Sequence, residues 1–196
     1  MLKRILAAFA AVVGAGAIAI GANMPLVTGA QDPSQLTAVV NTLINTINSS
    51  VSRIGVGATA VSTGATTAES TLQQFTVPGG YLANPGDSMR ITCWGGTGTD
   101  SNNKTMKLYF GSSVITTPTA ATSNKGWLLR MIVMRRSASA QAILGDGLVD
   151  TTAVTPLTVD GAETLASAVT VKCTGTNGTA SASDITAQGL LVEAIK

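Results

Sequence analysis

From Glu69 onward the apolar residues of this 196-residue chain recur at every second position, in short runs divided by turn signals every 8 to 15 residues. A side-chain period of two belongs to strands buried on one face, and closely spaced runs of this kind belong to an antiparallel β-sandwich. Leu72 to Val77 stops at Pro78-Gly79-Gly80. Asn84-Pro85-Gly86-Asp87 is a turn, after which Met89, Ile91 and Cys93 alternate with Arg90, Thr92 and Trp94. Met106, Leu108 and Phe110 alternate against Lys107 and Tyr109, and Val114-Ile115 makes a short strand after a Gly-Ser turn. Trp127 to Arg136 is apolar on both sides, with Trp127, Leu129, Met131 and Val133 on one and Leu128, Ile132 and Met134 around Arg130 on the other. A strand of that kind lies at a sandwich centre or under a subunit contact. Ala142 to Leu144, Ala153 to Val159, Leu165 to Cys173 and Ile185 to Ile195 bring the count to about eight strands, which fits a jelly roll of two Greek-key sheets. An immunoglobulin-like sandwich fits less well, because Trp94 lies directly beside Cys93 rather than at the expected distance.

Before Glu69 the pattern is different. Lys3 and Arg4 are followed by no charge until Asp32, and residues 5 to 22 are continuously apolar or Gly. A secretory signal, a membrane-spanning or anchoring helix and a helix buried in a protein assembly all fit such a segment. Its Ala and Gly content, with Gly14, Gly16 and Gly21 closely spaced, suits close helix contacts, so the expectation is an uncleaved helix packed against protein. Asp32, Pro33, Ser34 and Gln35 then form a helix start, with a cap, a first-turn Pro and a reciprocal Gln. Leu36, Val40, Leu43, Ile47 and Ile54 follow at heptad a/d steps broken only by Ser50, a narrow stripe that asks for partner helices. An ordinary amphipathic helix lying on its own domain is the other reading of that stripe. The run from Gly55 to Ala68 holds no aromatic residue and no charge, and reads as a linker or extended arm. The expected organisation is therefore an apolar N-terminal helix and connection (1–31), an oligomerisation helix (32–54), an extended linker (55–68) and a β knob (69–196).

Composition narrows the chemistry. Ala, Thr, Gly and Ser supply 93 of the 196 residues, His is absent, and seven Asp and three Glu are scattered singly. General acid/base catalysis draws on His and on clustered acids, so no catalytic residue is assigned and an enzyme is not expected. A net charge of +2, with only Arg130, Arg135 and Arg136 close together, does not suit a nucleic-acid partner. Asp146, Asp150 and Asp160 beside Gly145, Gly147 and Gly161 lack the regular oxygen spacing of a calcium loop and read as turn residues, so neither a metal nor a cofactor is expected. Cys93 and Cys173 each end an apolar strand and permit one disulfide. A protein assembled in bacterial cytosol would keep them as free buried thiols, and that is the expectation unless the N-terminus works as an export signal. Trp94, Tyr81 and Tyr109 could form a glycan-facing surface, although with so few aromatics ordinary core or interface packing is the favoured reading.

The phrases Leu72-Gln-Gln-Phe-Thr-Val-Pro-Gly-Gly, Leu82-Ala-Asn-Pro-Gly-Asp-Ser-Met-Arg-Ile, Lys104-Thr-Met-Lys-Leu-Tyr-Phe-Gly and Asp184-Ile-Thr-Ala-Gln-Gly-Leu-Leu-Val-Glu resemble a β-domain of tailed-bacteriophage virion proteins. The resemblance runs from about Ala68 to Lys196. It implies a tumour-necrosis-factor-like jelly roll, usually trimeric, carried at the tip of head or tail fibres and preceded by a trimerisation stalk, with no shared catalytic residues. The resulting expectation is a non-enzymatic structural virion protein. It would be a homotrimeric head or tail appendage joined to capsid, portal or tail neighbours through residues 1–31, with a knob for decoration or contact with a host-surface glycan. A secreted or membrane-anchored bacterial binding module, located in the envelope, is the alternative.

Overall fold

The computed structural model of the chain describes residues 40–41, 52–117 and 119–195, and the chain divides into two compact units, Met1–Asn45 and Thr46–Lys196. Val40 and Asn41 are helical. The apolar segment 5–22 and the expected seam residues Leu36, Leu43 and Ile47 lie outside the described residues. The described part of the second unit is built from antiparallel strands: β1 (Ser52–Gly57), β2 (Val61–Ser62), β3 (Ser70–Val77), β4 (Ser88–Thr97), β5 (Asn103–Phe110), β6 (Ser113–Thr116), β7 (Ala120–Ala121), β8 (Gly126–Ser137), β9 (Ala140–Val149), β10 (Thr152–Gly161), β11 (Val169–Asn177) and β12 (Ile185–Ile195).

The strands form two sheets. The larger has the order β1-β12-β4-β8-β9-β10 with β2 also on β12, and the smaller has the order β3-β11-β5-β6 with β7 also on β5. The path passes from one sheet to the other between β2 and β3, β3 and β4, β4 and β5, β7 and β8, β10 and β11, and β11 and β12. Such crossings are the Greek-key connections that close a sandwich over its own core. The hairpin β9–β10 extends the large sheet beyond β8.

Alternation places the core where the period of two puts it. Met89, Ile91 and Cys93 of β4, Met106, Leu108 and Phe110 of β5, and Leu129, Met131 and Val133 of β8 are all buried. The Asn84–Asp87 turn forms as expected. Asp87 N–H donates to the Asn84 carbonyl at 3.0 Å, its carboxylate accepts from the Ala83 and Asn84 amides, and Gly86 takes a φ of 94° that favours glycine.

Three expectations are corrected. Ile54 is not on a helix: it belongs to β1 and packs half-buried against the core, at an irregularity in register between Arg53 and Gly55. The sandwich therefore begins by Ser52, and residues assigned to a linker, Gly55–Gly57 and Val61–Ser62, pair with β12. The reason is steric as much as apolar, because the Phe75 ring fills the space that a Cβ on Gly55 would need. A small-residue run thus supplies an edge strand that side chains of β3 in the facing sheet approach too closely for larger residues. Secondly, Cys93 and Cys173 form a disulfide, with Cα atoms 6.5 Å apart. Cys93 lies in the large sheet and Cys173 in the small one, both fully buried, so the bond ties the two sheets together across the core. Finally, Asp146 and Asp160 are strand residues of β9 and β10 rather than turn residues, while Asp150 does occupy the β9–β10 turn with a φ of 56°.

Candidate functional site

The outer face of the large sheet carries the most unusual chemistry among the described residues. Its rows follow from the register. Trp94 of β4 stands opposite Leu128 of β8, which stands opposite Leu148 of β9. Two positions along, Thr92, Arg130 and Asp146 share a row, and two further along, Arg90, Ile132 and Leu144 do the same, followed by Met134 beside Ala142. Trp94, Ile132, Met134, Leu144 and Leu148 are each 39 to 45% exposed, so apolar side chains from three adjacent strands face solvent together. The Trp94 ring lies against the backbone of Gly189, where a Cβ would overlap it. Beside this row is an open depression lined by Gly95, Gly126, Trp127, Leu128, Leu148 and Asp150.

The outward charges of β4, β8 and β9 are consumed internally, while Arg53 of β1, opposite Glu193, is exposed. Arg130 grips Asp146 with two hydrogen bonds, Nε to Oδ1 at 2.9 Å and Nη2 to Oδ2 at 2.6 Å. Arg90 pairs with Glu193, Arg136 with Asp160, and Lys125 with Asp150, at 2.7 to 2.9 Å. Arg135, the third member of the basic group seen in the sequence, donates to the Leu82 carbonyl. The three arginines therefore have three separate partners, and a two-pronged arginine–carboxylate contact holds more firmly than a single one. The resulting face is apolar, with oppositely charged pairs set between its rows.

The smaller sheet presents a different exterior. Tyr109 hydroxyl donates to Glu69 Oε1 at 2.7 Å, Lys107 Nζ donates to Oε2 at 2.7 Å, and Lys172 Nζ lies 4.5 Å from the Tyr109 ring centre. Burial pushes the Glu69 carboxyl up, but the hydrogen bonds from Lys107 and Tyr109 outweigh it and bring the group down to about 2. The three aromatic residues considered as a glycan-facing surface are not brought together: Trp94 is on the outside of the large sheet, Tyr109 on the outside of the small one, and Tyr81 packs half-buried against the core.

One group was missed in the sequence. The Lys104 side chain is wholly buried, and its ammonium donates to Asp100 Oδ1 at 2.6 Å and to the carbonyls of Asp100, Asn102 and Thr122 at 3.1, 3.0 and 2.9 Å. Buried Asp184 adjoins Asp100. Burial, then the Asp100 carboxylate, pushes Asp184 above the usual carboxylate range, and the hydrogen bond from Asp184, with that from Lys104, holds Asp100 well below it. A signal was available, because Lys104 has the same parity as the inward residues Met106, Leu108 and Phe110. The ammonium's donors are all satisfied, which suits a structural latch for the loops at this end. Among the described residues no three His, Cys, Asp or Glu side chains converge as metal ligands.

No family model matches the chain, and no curated protein matches it in sequence. Among solved structures, the CBM2 module of the evolved Dit of Lactobacillus casei BL23 phage J-1 is similar over 61% of this chain and 67% of that one, at 9% identity and a TM-score of 0.33.

Proposed function

We propose that the chain is a non-enzymatic structural component of a tailed-phage virion, a trimeric head or tail appendage whose β-sandwich is a jelly-roll knob. The observation that carries this reading is the outer face of the large sheet. It exposes apolar side chains from β4, β8 and β9 while the outward charges of those three strands are paired within the chain, an arrangement suited to association rather than to chemistry. The turn and strand phrases shared with phage β-domains point the same way. Residues 1–31 join the neighbouring virion protein, and the seam of Leu36, Val40, Leu43 and Ile47 gathers the copies. Fractionation of a phage lysate tests it: the protein should co-purify with particles, and recovery only from the host envelope would overturn the assignment.

The Cys93–Cys173 disulfide favours a second reading, a secreted or membrane-anchored bacterial binding module, because disulfides persist in oxidising compartments and are rare in cytosol. N-terminal sequencing separates the two. A mature chain starting near Asn23 would make residues 5 to 22 a removed signal and support export, whereas a chain retaining them in purified particles supports the virion anchor.

A further inference from the structure

We infer that the Cys93–Cys173 bond is installed while β12 is still undocked, by thiol–disulfide exchange with an external disulfide oxidant, and that the docking of β12 then locks the redox state of the pair. This goes beyond both readings above and holds for either. Both cysteines are wholly buried, at 0% exposure. Each lies on an interior strand of its sheet, Cys93 on β4 between β12 and β8 and Cys173 on β11 between β3 and β5. A disulfide forms or breaks when a thiolate attacks a sulfur, through a mixed disulfide in which the external group is bonded to one cysteine. The closed core has no room for such a group. Leu190 of β12 and Leu129 of β8 stand opposite Cys93, Leu108 of β5 stands opposite Cys173, and all three are fully buried. Exchange therefore needs one wall of the core to be open, yet the two sulfurs meet only when β4 and β11 face each other.

Strand β12 is the wall that meets both demands. It pairs with β4 and lies against β11 in the facing sheet, so it touches the strands of both cysteines. It follows both cysteines in the chain and is joined to β11 by residues 178–184, whereas β5 to β10 all lie within the loop that the bond closes. A chain with β12 undocked keeps the β4–β8 and β11–β5 pairings that align the sulfurs, and it uncovers the side of Cys93 that Leu190 covers. In that state one cysteine thiolate attacks the oxidant's disulfide and expels the first of its sulfurs. The second cysteine thiolate then attacks the bonded cysteine sulfur and expels the other. Two electrons pass to the oxidant and the two cysteine protons end on its two sulfurs, so no further reactant is consumed. When β12 docks, Leu190 closes over Cys93, and neither an oxidant nor a reductant reaches the pair.

The test uses the full oxidised chain with dithiothreitol as the probe, and counts free thiols by alkylation and mass spectrometry. In native buffer, reduction should be about 1,000-fold slower or more than in denaturing urea, equivalent to ~4.1 kcal/mol. Below the unfolding transition, urea should speed reduction along a slope smaller than that of global unfolding, because only β12, with β1 and β2 paired on it, leaves the core. Leu190→Ala should speed native reduction about 10-fold more than Ile143→Ala, once each rate is corrected for the global stability lost, because β9 pairs with neither β4 nor β11. Reduction as fast in native buffer as in urea overturns the inference. A slope equal to that of global unfolding, or a native rate independent of urea, overturns it too, as do equal corrected rates for the two variants. If the variants do not fold, the wild-type slope still decides. The reverse reaction gives an independent check with glutathione disulfide as oxidant: added at the start of refolding of the reduced chain it should close the bond, and added after refolding it should leave both thiols free. Equal rates of closure in the two orders would refute the lock.

Discussion

Strands β5 and β8 lie in opposite sheets and obey the same inward rule, yet their outward residues have little in common. Inside, β5 contributes Met106, Leu108 and Phe110 and β8 contributes Leu129, Met131 and Val133, all buried. Outside, β5 shows Thr105, Lys107 and Tyr109, whose polar ends find Thr119 and Glu69, whereas β8 shows Leu128, Ile132 and Met134 around the Arg130–Asp146 pair. The inward residues are dictated by the fold, since any sandwich must fill its core. The outward residues are free to vary and so differ between the two faces: polar and paired on the small sheet, apolar on β8 of the large one.

The largest test of this comparison contrasts two lysines of one strand. Lys104 has the inward parity of β5 and is fully buried on four oxygens, while Lys107 is outward and pairs with Glu69. Removing one partner of a buried, hydrogen-bonded charge costs about 3–5 kcal/mol, and an exposed pair contributes about 0–1 kcal/mol. Lys104→Met should therefore lower the urea midpoint strongly and Lys107→Met only slightly. Equal losses would mean that inward and outward positions of β5 are not energetically distinct.

The inward rule was legible because it needs only parity: the cores of β4, β5 and β8, the Asn84–Asp87 turn and the long strand ending at Ile195 all follow from it. Both apolar sides of β8 were legible too, and they led to the outer face. Strand β1 was not, since Gly55-Val56-Gly57 has little apolar area, and its place depends on the Phe75 ring lying over Gly55. The lysine latch was missed because a single charge within an apolar alternation reads as an interruption until the oxygens around it are known. The disulfide was legible as a possibility and was set aside on the compartment argument; that Cys93 and Cys173, 80 residues apart, meet shows only when the two sheets stack.

That covalent link gives the next prediction. Cys93→Ser/Cys173→Ser removes a bond closing a long loop, and removal of a native disulfide costs about 2–5 kcal/mol. Because the bond joins the sheets through their inner faces, amide exchange should quicken in β4 and β11 together. Exchange quickened in only one sheet would show that packing, not the bond, couples them.

A smaller effect belongs to the polar exterior. Glu69, held at about 2 against an ordinary 4.5, is a depressed carboxylate. Its contribution to stability is present above pH ~4.5 and disappears as pH falls toward 2. Glu69→Gln should be less stable than wild type at pH 7, with the gap narrowing through that window. A gap that stays constant from pH 7 to pH 2 would assign the loss to packing rather than to the Lys107 and Tyr109 contacts.

The smallest predicted effect has the opposite sign, and it distinguishes the loop end of the molecule from both outer faces. Asp184 is raised, first by its burial and then by the Asp100 carboxylate beside it, so its neutral form is the one the fold prefers. The stability associated with a raised carboxyl is fully present below its unfolded value and is lost as pH rises through its folded value. Once pH has risen through that folded value an ionised Asp184 stands near ionised Asp100, with the Lys104 ammonium the one cation in the latch to offset both. Asp184→Asn keeps a neutral donor for Asp100 and removes the second negative charge without changing side-chain size. Above the folded value of Asp184 the melting temperature should rise by about 2 °C, the scale of a change of somewhat under 1 kcal/mol in a chain of this length, and at pH 3 the difference should vanish because wild-type Asp184 is then protonated. A variant less stable than wild type above that value and equal to it at pH 3 would mean that the ionised Asp184 is held by the Lys104 latch, and that the latch carries two carboxylates rather than one.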